Sequence, residues 1–162
     1  IHDLDIVLHV VKSPVKSINA SGVSVLSSTP DIANARIEFI NGCVANITSS
    51  RMSLNNVRKS RFFQKNAYVS VDFLNRSHEY IRLDSNKIPK ENSSFQNIKT
   101  IPEESVMIQT QNNSGINPIE EELKSFINSI ATNINPTVDL ESAKMALKLT
   151  IDIMEQITMA QN

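Results

Sequence analysis

The chain has 162 residues, 40% of them hydrophobic and 20% charged, with a formal net charge of -1. That length suffices for one domain with its own core, without disulfides or a metal to hold it, and near-neutral charge excludes a global pull towards nucleic acid or acidic lipid. A single cysteine, Cys43, excludes an internal disulfide, no apolar run approaches the ~18 residues of a membrane span, and the start lacks a signal-peptide pattern, so a reducing, cytoplasmic setting is expected.

Residues 3–12 carry Leu4, Leu8 and Val11 at helical spacing, and Ile6, Val7 and Val10 widen the stripe, which predicts a buried helix. Ser13-Pro14 stops it, because proline lacks the next donor and pushes its predecessor out of the α region. Residues 15–26 are rich in β-branched side chains and read as a strand, with Gly22 as a bulge position. The turn residues of 27–30 lead into Asp31–Arg51, the clearest folding instruction in the chain. Two strand-like arms flank Asn41-Gly42, a pair suited to a type I′ hairpin turn. The first arm alternates Ala33, Ala35, Ile37 and Phe39 with Asn34, Arg36 and Glu38, so one face meets a core and the other is wet. Asn46, Thr48 and Ser50 extend the wet face, a small polar set that fits water, a ligand or a second subunit, and Cys43 reads as a small buried residue.

Three further strands are predicted across residues 58–83, broken at Lys65-Asn66 and Asn75-Arg76-Ser77. Residues 84–104 are dominated by polar residues and proline and read as a long loop, after which 105–111 forms another strand. Asn117-Pro118 caps a helix with Ile119, Leu123, Phe126, Ile127 and Ile130 on one stripe, ended by Pro136. Asp139 caps a last helix, with Leu140, Ala143, Leu147, Ile151, Met154 and Ile157 on its main face. Strands in a run with helices at the ends predict an α+β fold, an open, mainly antiparallel sheet with helices packed on one face. Three glycines and no glycine-rich strand-turn-helix leave no dinucleotide fingerprint in residues 1–162, which read as a single domain.

Among the polar residues, His2 opens the first helix. An imidazole is a side chain suited to proton transfer, although a histidine there also serves as an ordinary surface group. Asp5 lies in the same first turn, where the helix dipole favours a carboxylate. His9 and His78 read as structural or surface residues. Arg51, Arg58, Lys59, Arg61 and Lys65 form a basic cluster with two readings: a solvated edge, or Arg51 gripping a substrate phosphate or carboxylate through its guanidinium fork.

Taken together, His2-x-x-Asp5 before an apolar helix, the hairpin NARIEFINGCVANITSSR, and the closing ELKSFINSIATNINPTVDLESAKMALKLTIDIMEQI resemble the C-terminal domain of the Gfo/Idh/MocA oxidoreductases. The resemblance implies an N-terminal domain, absent from this chain, that binds NAD or NADP. It also implies that the present domain shapes a site for a sugar, sugar alcohol or nucleotide-linked sugar and mediates homo-oligomerisation through its sheet face. His2 matches the family's catalytic histidine, while the partner aspartate and lysine fall outside the chain, which is therefore expected to be inactive alone. Arg51 and Asp5 are the candidate substrate-binding residues. No metal, nucleic-acid or membrane partner is expected. The alternative is a stand-alone module that only dimerises or binds carbohydrate.

Overall fold

The computed structural model describes residues 1–65, 67–83, 106–112, 117–136 and 138–161; the loop expected at 84–104 lies outside these. In chain order the elements are α1 (His2–Val11), β1 (Val15–Val23), β2 (Ile32–Phe39), β3 (Val44–Ser50), β4 (Lys59–Gln64), β5 (Ala67–Asp72), β6 (Ser77–Leu83), β7 (Val106–Asn112), α2 (Pro118–Thr132) and α3 (Leu140–Gln161). The α+β character and antiparallel pairing follow expectation. The strands form two sheets, however, β1-β2-β3 and β4-β5-β6-β7. Two compact units result: Ile1–Leu54 with Glu122–Asn162, and Asn55–Glu121.

The first unit is built on the hairpin. Ala35, Ile37 and Phe39 of β2 are buried and Asn34 and Arg36 are exposed, as alternation along a half-covered strand requires. Ile18 and Ala20 of β1 and Ala45 and Ile47 of β3 extend the apolar face on either side by their register with β2. Leu4 of α1 and Leu149, Ile153 and Ile157 of α3 close the core over it.

The hairpin turn differs from the expected two-residue form. Gly42 N–H bonds Phe39 O at 3.0 Å, Phe39 N–H bonds Cys43 O at 2.9 Å, and only Gly42 has positive φ there, at 85°. This is a three-residue hairpin loop with glycine in the left-handed position. Asn41 keeps negative φ and its side chain has other work: its Oδ1 accepts Cys43 N–H at 3.0 Å, and its Nδ2 donates to Val11 O at 3.5 Å. Cys43 consequently lies on the exposed turn, not in the core.

α1 is covered on one side only. Leu4 is its one buried residue, whereas Val10 is 51% exposed, so the wide stripe seen in the sequence does not mean burial all round. The helix ends at Lys12 in the left-handed region, whose N–H bonds Leu8 O at 3.1 Å, just before Ser13-Pro14.

Gly22 is not a bulge. The irregularity in β1 falls between Val15 and Ser17, and Gly22 stays in register with Ala33. A Cβ at Gly22 would stand 2.7 Å from Cγ2 of Ile157, so the missing side chain lets α3 approach the strand. Nearby, the side-chain amide of Gln156 on α3 accepts from Ala20 N–H and donates to Ile18 O at 3.0 Å. β1 is an outer strand of its sheet, and this amide satisfies backbone groups that a neighbouring strand would otherwise take.

The ends of α2 and α3 follow the capping rules. Asn117 Oδ1 accepts Ile119 N–H at 3.1 Å and Asp139 Oδ1 accepts Ser142 N–H at 2.8 Å. α2 stops before Pro136: Asn133 takes φ 54° and Ile134 N–H bonds Ser129 O at 3.2 Å, the Schellman arrangement. The stripe predicted for α2 forms but is exposed, Phe126 at 58% for instance. On α3 the predicted stripe is also the exposed one: Leu147 and Ile151 are 51% and 48% exposed, while Ala146, Leu149 and Ile153 are buried. Of the predicted set, Ile157 alone among the large residues reaches the core.

In the second unit β4 is an outer strand of an antiparallel meander. Lys59, Arg61 and Phe63 alternate with Ser60 and Phe62; the first three are exposed and the latter two half-buried. Phe63 is 76% exposed and meets the Tyr68 ring in a tilted contact with centroids 5.0 Å apart. The Arg58 guanidinium lies 5.2 Å from the Phe73 ring centre, a cation–π contact that fixes one member of the basic cluster. The tight turn before β6 is made by Arg76 at φ 52° and by Asp72, whose carboxylate accepts Leu74 and Asn75 N–H at 3.1 and 2.9 Å.

Candidate functional site

The first unit has two distinct ends. At one, Asn41 N–H donates to Ser13 Oγ at 3.2 Å and Ile40 N–H to Pro14 O at 3.0 Å, which ties the C-terminal end of α1 to the hairpin turn. From there β1 runs to the other end, where β1 stops, β2 starts and β3 stops. Asp31 and Arg51 lie at that second end, joined by Arg51 N–H to Asp31 O.

His2 is the first residue of α1 and is exposed, and among the described residues its imidazole has no hydrogen-bond partner. Both ring nitrogens are therefore open to a ligand. Asp5 is half-buried one turn along; residues three apart share a helix face, so its carboxylate flanks the imidazole side of the helix. Among the described residues no side chain bonds the Asp5 carboxylate either. His9 is exposed and His78 half-buried on β6 in the other unit.

Arg51 is held by a loop that the sequence reading did not connect with it. Its Nη2 donates to Ser27 Oγ at 3.1 Å, Thr29 Oγ1 at 2.8 Å, Thr29 O at 3.3 Å and Pro30 O at 2.8 Å. Asp31 Oδ1 stands 3.4 Å away, and Arg51 N–H bonds Asp31 O at 2.9 Å. The Nη2 prong is spent on the loop, so the two-pronged grip expected from sequence is not available through it.

The organising residue is Asp31, only 6% exposed. Its Oδ2 accepts the backbone N–H of Val25, Leu26 and Ser27 at 2.8, 2.7 and 3.1 Å, and its Oδ1 accepts Ser27 Oγ at 3.0 Å. These bonds, those from Leu26 first and then Val25 and Ser27, hold the carboxyl well below the usual carboxylate range against the opposing effect of burial. Asp31 was missed in the sequence. The available signal was an acid following the turn residues Ser27–Pro30, although nothing local says which donors it collects.

The outer face of the three-stranded sheet is polar in its middle, with Val23, Ile32 and Val44 at its ends. Thr48 Oγ1 donates to Asn34 Oδ1 at 2.8 Å, and Arg36 reaches Asn46 Oδ1 at 3.5 Å and Glu38 at 3.4 Å. As for a dinucleotide, the two described glycines lie in a strand and a hairpin turn, so neither opens a helix as a pyrophosphate cradle requires. Among the described residues no group of three or more His, Cys, Asp and Glu is arranged for a metal, and no helix is long and apolar enough to cross a membrane.

No family model matches the chain. It is 29% identical over 133 residues to UDP-N-acetylglucosamine 3-dehydrogenase from Acidithiobacillus ferrooxidans, covering 82% of this chain and 39% of that protein. The solved structure of that dehydrogenase aligns with a TM-score of 0.79 at 23% identity, over 96% of this chain and 45% of its own. Levoglucosan dehydrogenase in complex with NADH aligns with a TM-score of 0.75 at 14% identity, over 97% and 46%. The super-repressor mutant of Gal80p from Saccharomyces cerevisiae gives 0.70 at 10% identity, over 98% and 46%. The chain spans less than half the length of each of these proteins. In fold the chain matches part of these dehydrogenases, and in sequence it is similar to UDP-N-acetylglucosamine 3-dehydrogenase, in keeping with the resemblance to the Gfo/Idh/MocA C-terminal domain.

Proposed function

We propose that this chain is the substrate-binding and oligomerisation domain of an NAD- or NADP-dependent dehydrogenase acting on a sugar hydroxyl, most specifically that of a nucleotide-linked sugar. The observation that carries this reading is the sequence match to UDP-N-acetylglucosamine 3-dehydrogenase, the one comparison that reaches beyond fold. Oxidation of a secondary alcohol removes a hydride from carbon and a proton from oxygen. His2 takes the proton: it is exposed, has no hydrogen-bond partner among the described residues, and carries an imidazole able to act as a general base. Asp5 positions the substrate or the imidazole from the same helix face. The cofactor is bound outside the described residues, and the polar sheet face around Asn34, Arg36, Asn46 and Thr48 joins subunits.

The test uses the longer protein in which this domain sits, mixed with NAD or NADP and a panel of sugars and UDP-sugars, with formation of reduced cofactor followed by absorbance. His2→Ala is expected to lower turnover by about a hundred- to ten-thousand-fold with folding unchanged, the range for loss of a positioned acid–base group. A mutant with parental turnover removes His2 from the chemistry, and a parent that binds neither cofactor removes the dehydrogenase reading.

A second reading is a non-catalytic binding module, favoured by the same fold occurring in Gal80p, whose structure is that of a super-repressor mutant. Cofactor turnover by the parent separates the two.

A further inference from the structure

The geometry points to Arg51 as the residue that receives the diphosphate of a nucleotide-linked sugar, an inference that rests on the dehydrogenase reading above. Arg51 follows β3 directly, at the end of the first unit opposite the hairpin turn. Its side chain is 58% exposed yet not free to wander, because Nη2 is anchored to Ser27, Thr29 and Pro30. Anchoring one nitrogen removes in advance much of the rotamer entropy that a long cationic side chain loses on binding.

A guanidinium carries five N–H donors, and Nη2 holds two of them. The remaining three, on Nε and Nη1, have no acceptor among the described residues. Three donors on two nitrogens match the several acceptor oxygens of a diphosphate better than the two of a carboxylate, and guanidinium is well suited to phosphate oxygens.

The nearby Asp31 carboxylate is the obvious objection, since a neutralised cation attracts no anion. Here, however, the carboxylate is 6% exposed and is surrounded by three backbone N–H groups and the Ser27 hydroxyl. Those dipoles balance its charge from the inside, which leaves the exposed guanidinium as the charge that solvent and ligand meet. Asp31 thus shapes the loop that holds Arg51 without cancelling it.

The experiment measures binding of UDP to the longer protein by calorimetry, with Arg51→Ala, Arg51→Lys and Asp31→Asn alongside and folding checked by circular dichroism. Arg51→Ala is expected to weaken UDP binding by about tenfold or more at low salt, with the difference shrinking at high salt as a lost charge requires. Arg51→Lys recovers part of the affinity, and Asp31→Asn, which loosens the loop but keeps the cation, costs less than Arg51→Ala. Equal losses in Arg51→Ala and Asp31→Asn, or a loss that salt does not alter, overturn the proposal, because Arg51 then acts only through the loop. Unchanged UDP affinity in Arg51→Ala overturns it while leaving the dehydrogenase reading to the turnover assay. A parent that reduces no cofactor with any sugar, but loses UDP on Arg51→Ala, overturns that reading and keeps the anion site.

Discussion

Asp31 and Arg51 show how one buried carboxylate organises a loop. The Asp31 carboxyl is held below its ordinary range chiefly by the N–H of Leu26 and then Val25, so the folded state favours the charged form. Its contribution to stability is complete above the unfolded value of about 3.9 and is lost as pH falls below that towards the depressed folded value. Asp72 and Asp139 are lowered in the same direction, by Asn75 and Ser142 N–H groups first, and add to the same acid limb. Melting Asp31→Asn and the parent chain from about pH 7 to pH 2 should therefore show a lower midpoint for the mutant at neutrality and a gap that narrows below about pH 4. A gap constant with pH would mean that the carboxylate charge contributes nothing. At this scale the sequence singled out Arg51 but not its partner, because the donors to Asp31 are backbone groups, and backbone groups are the same in every sequence.

The helices raise a different matter, since an amphipathic pattern marks a stripe without saying what the stripe meets. α3 is apolar on two sides: Ala146, Leu149 and Ile153 are buried with Ile157, and Leu147, Ile151 and Met154 are not. Which side faces the sheet is decided by Gly22, which admits Ile157, and by Gln156, which bonds the edge of β1. In this chain Ile153→Ala should destabilise by about 2–5 kcal/mol, whereas Ile151→Ala, already half in water, should cost well under half as much. Urea unfolding of both mutants measures the difference, and equal losses would place both sides of α3 in cores. The hairpin illustrates the same limit in miniature: Asn41-Gly42 announced a turn, and the choice of a three-residue loop went with an Asn41 side chain that reaches α1.

At the scale of the whole molecule, the polar outer face of the three-stranded sheet is proposed as the contact between copies. Its groups already pair with one another, Thr48 with Asn34 and Arg36 with Asn46 and Glu38, so a second copy meets side chains with little left to reorganise. Sedimentation on the order of tens of micromolar, where a modest interface is filled, should give a dimer or larger species, and Asn46→Arg on that face should give a monomer. A monomeric parent at that concentration would rule the surface out.

Residues 1–162 by themselves determined the kind and order of the elements, because caps such as Asn117 and Asp139, stops such as Pro14, and the alternation of Ala35, Ile37 and Phe39 act over a few residues. The stretches that carry the family resemblance, with His2 at the start of the first, are local in the same way. What only the tertiary structure decided was which strands share a sheet, which stripe of α3 is inside, that Cys43 is outside, and that Asp31 holds the loop against Arg51. Each of these depends on groups brought together from distant positions, often through the backbone, where local pattern carries no information.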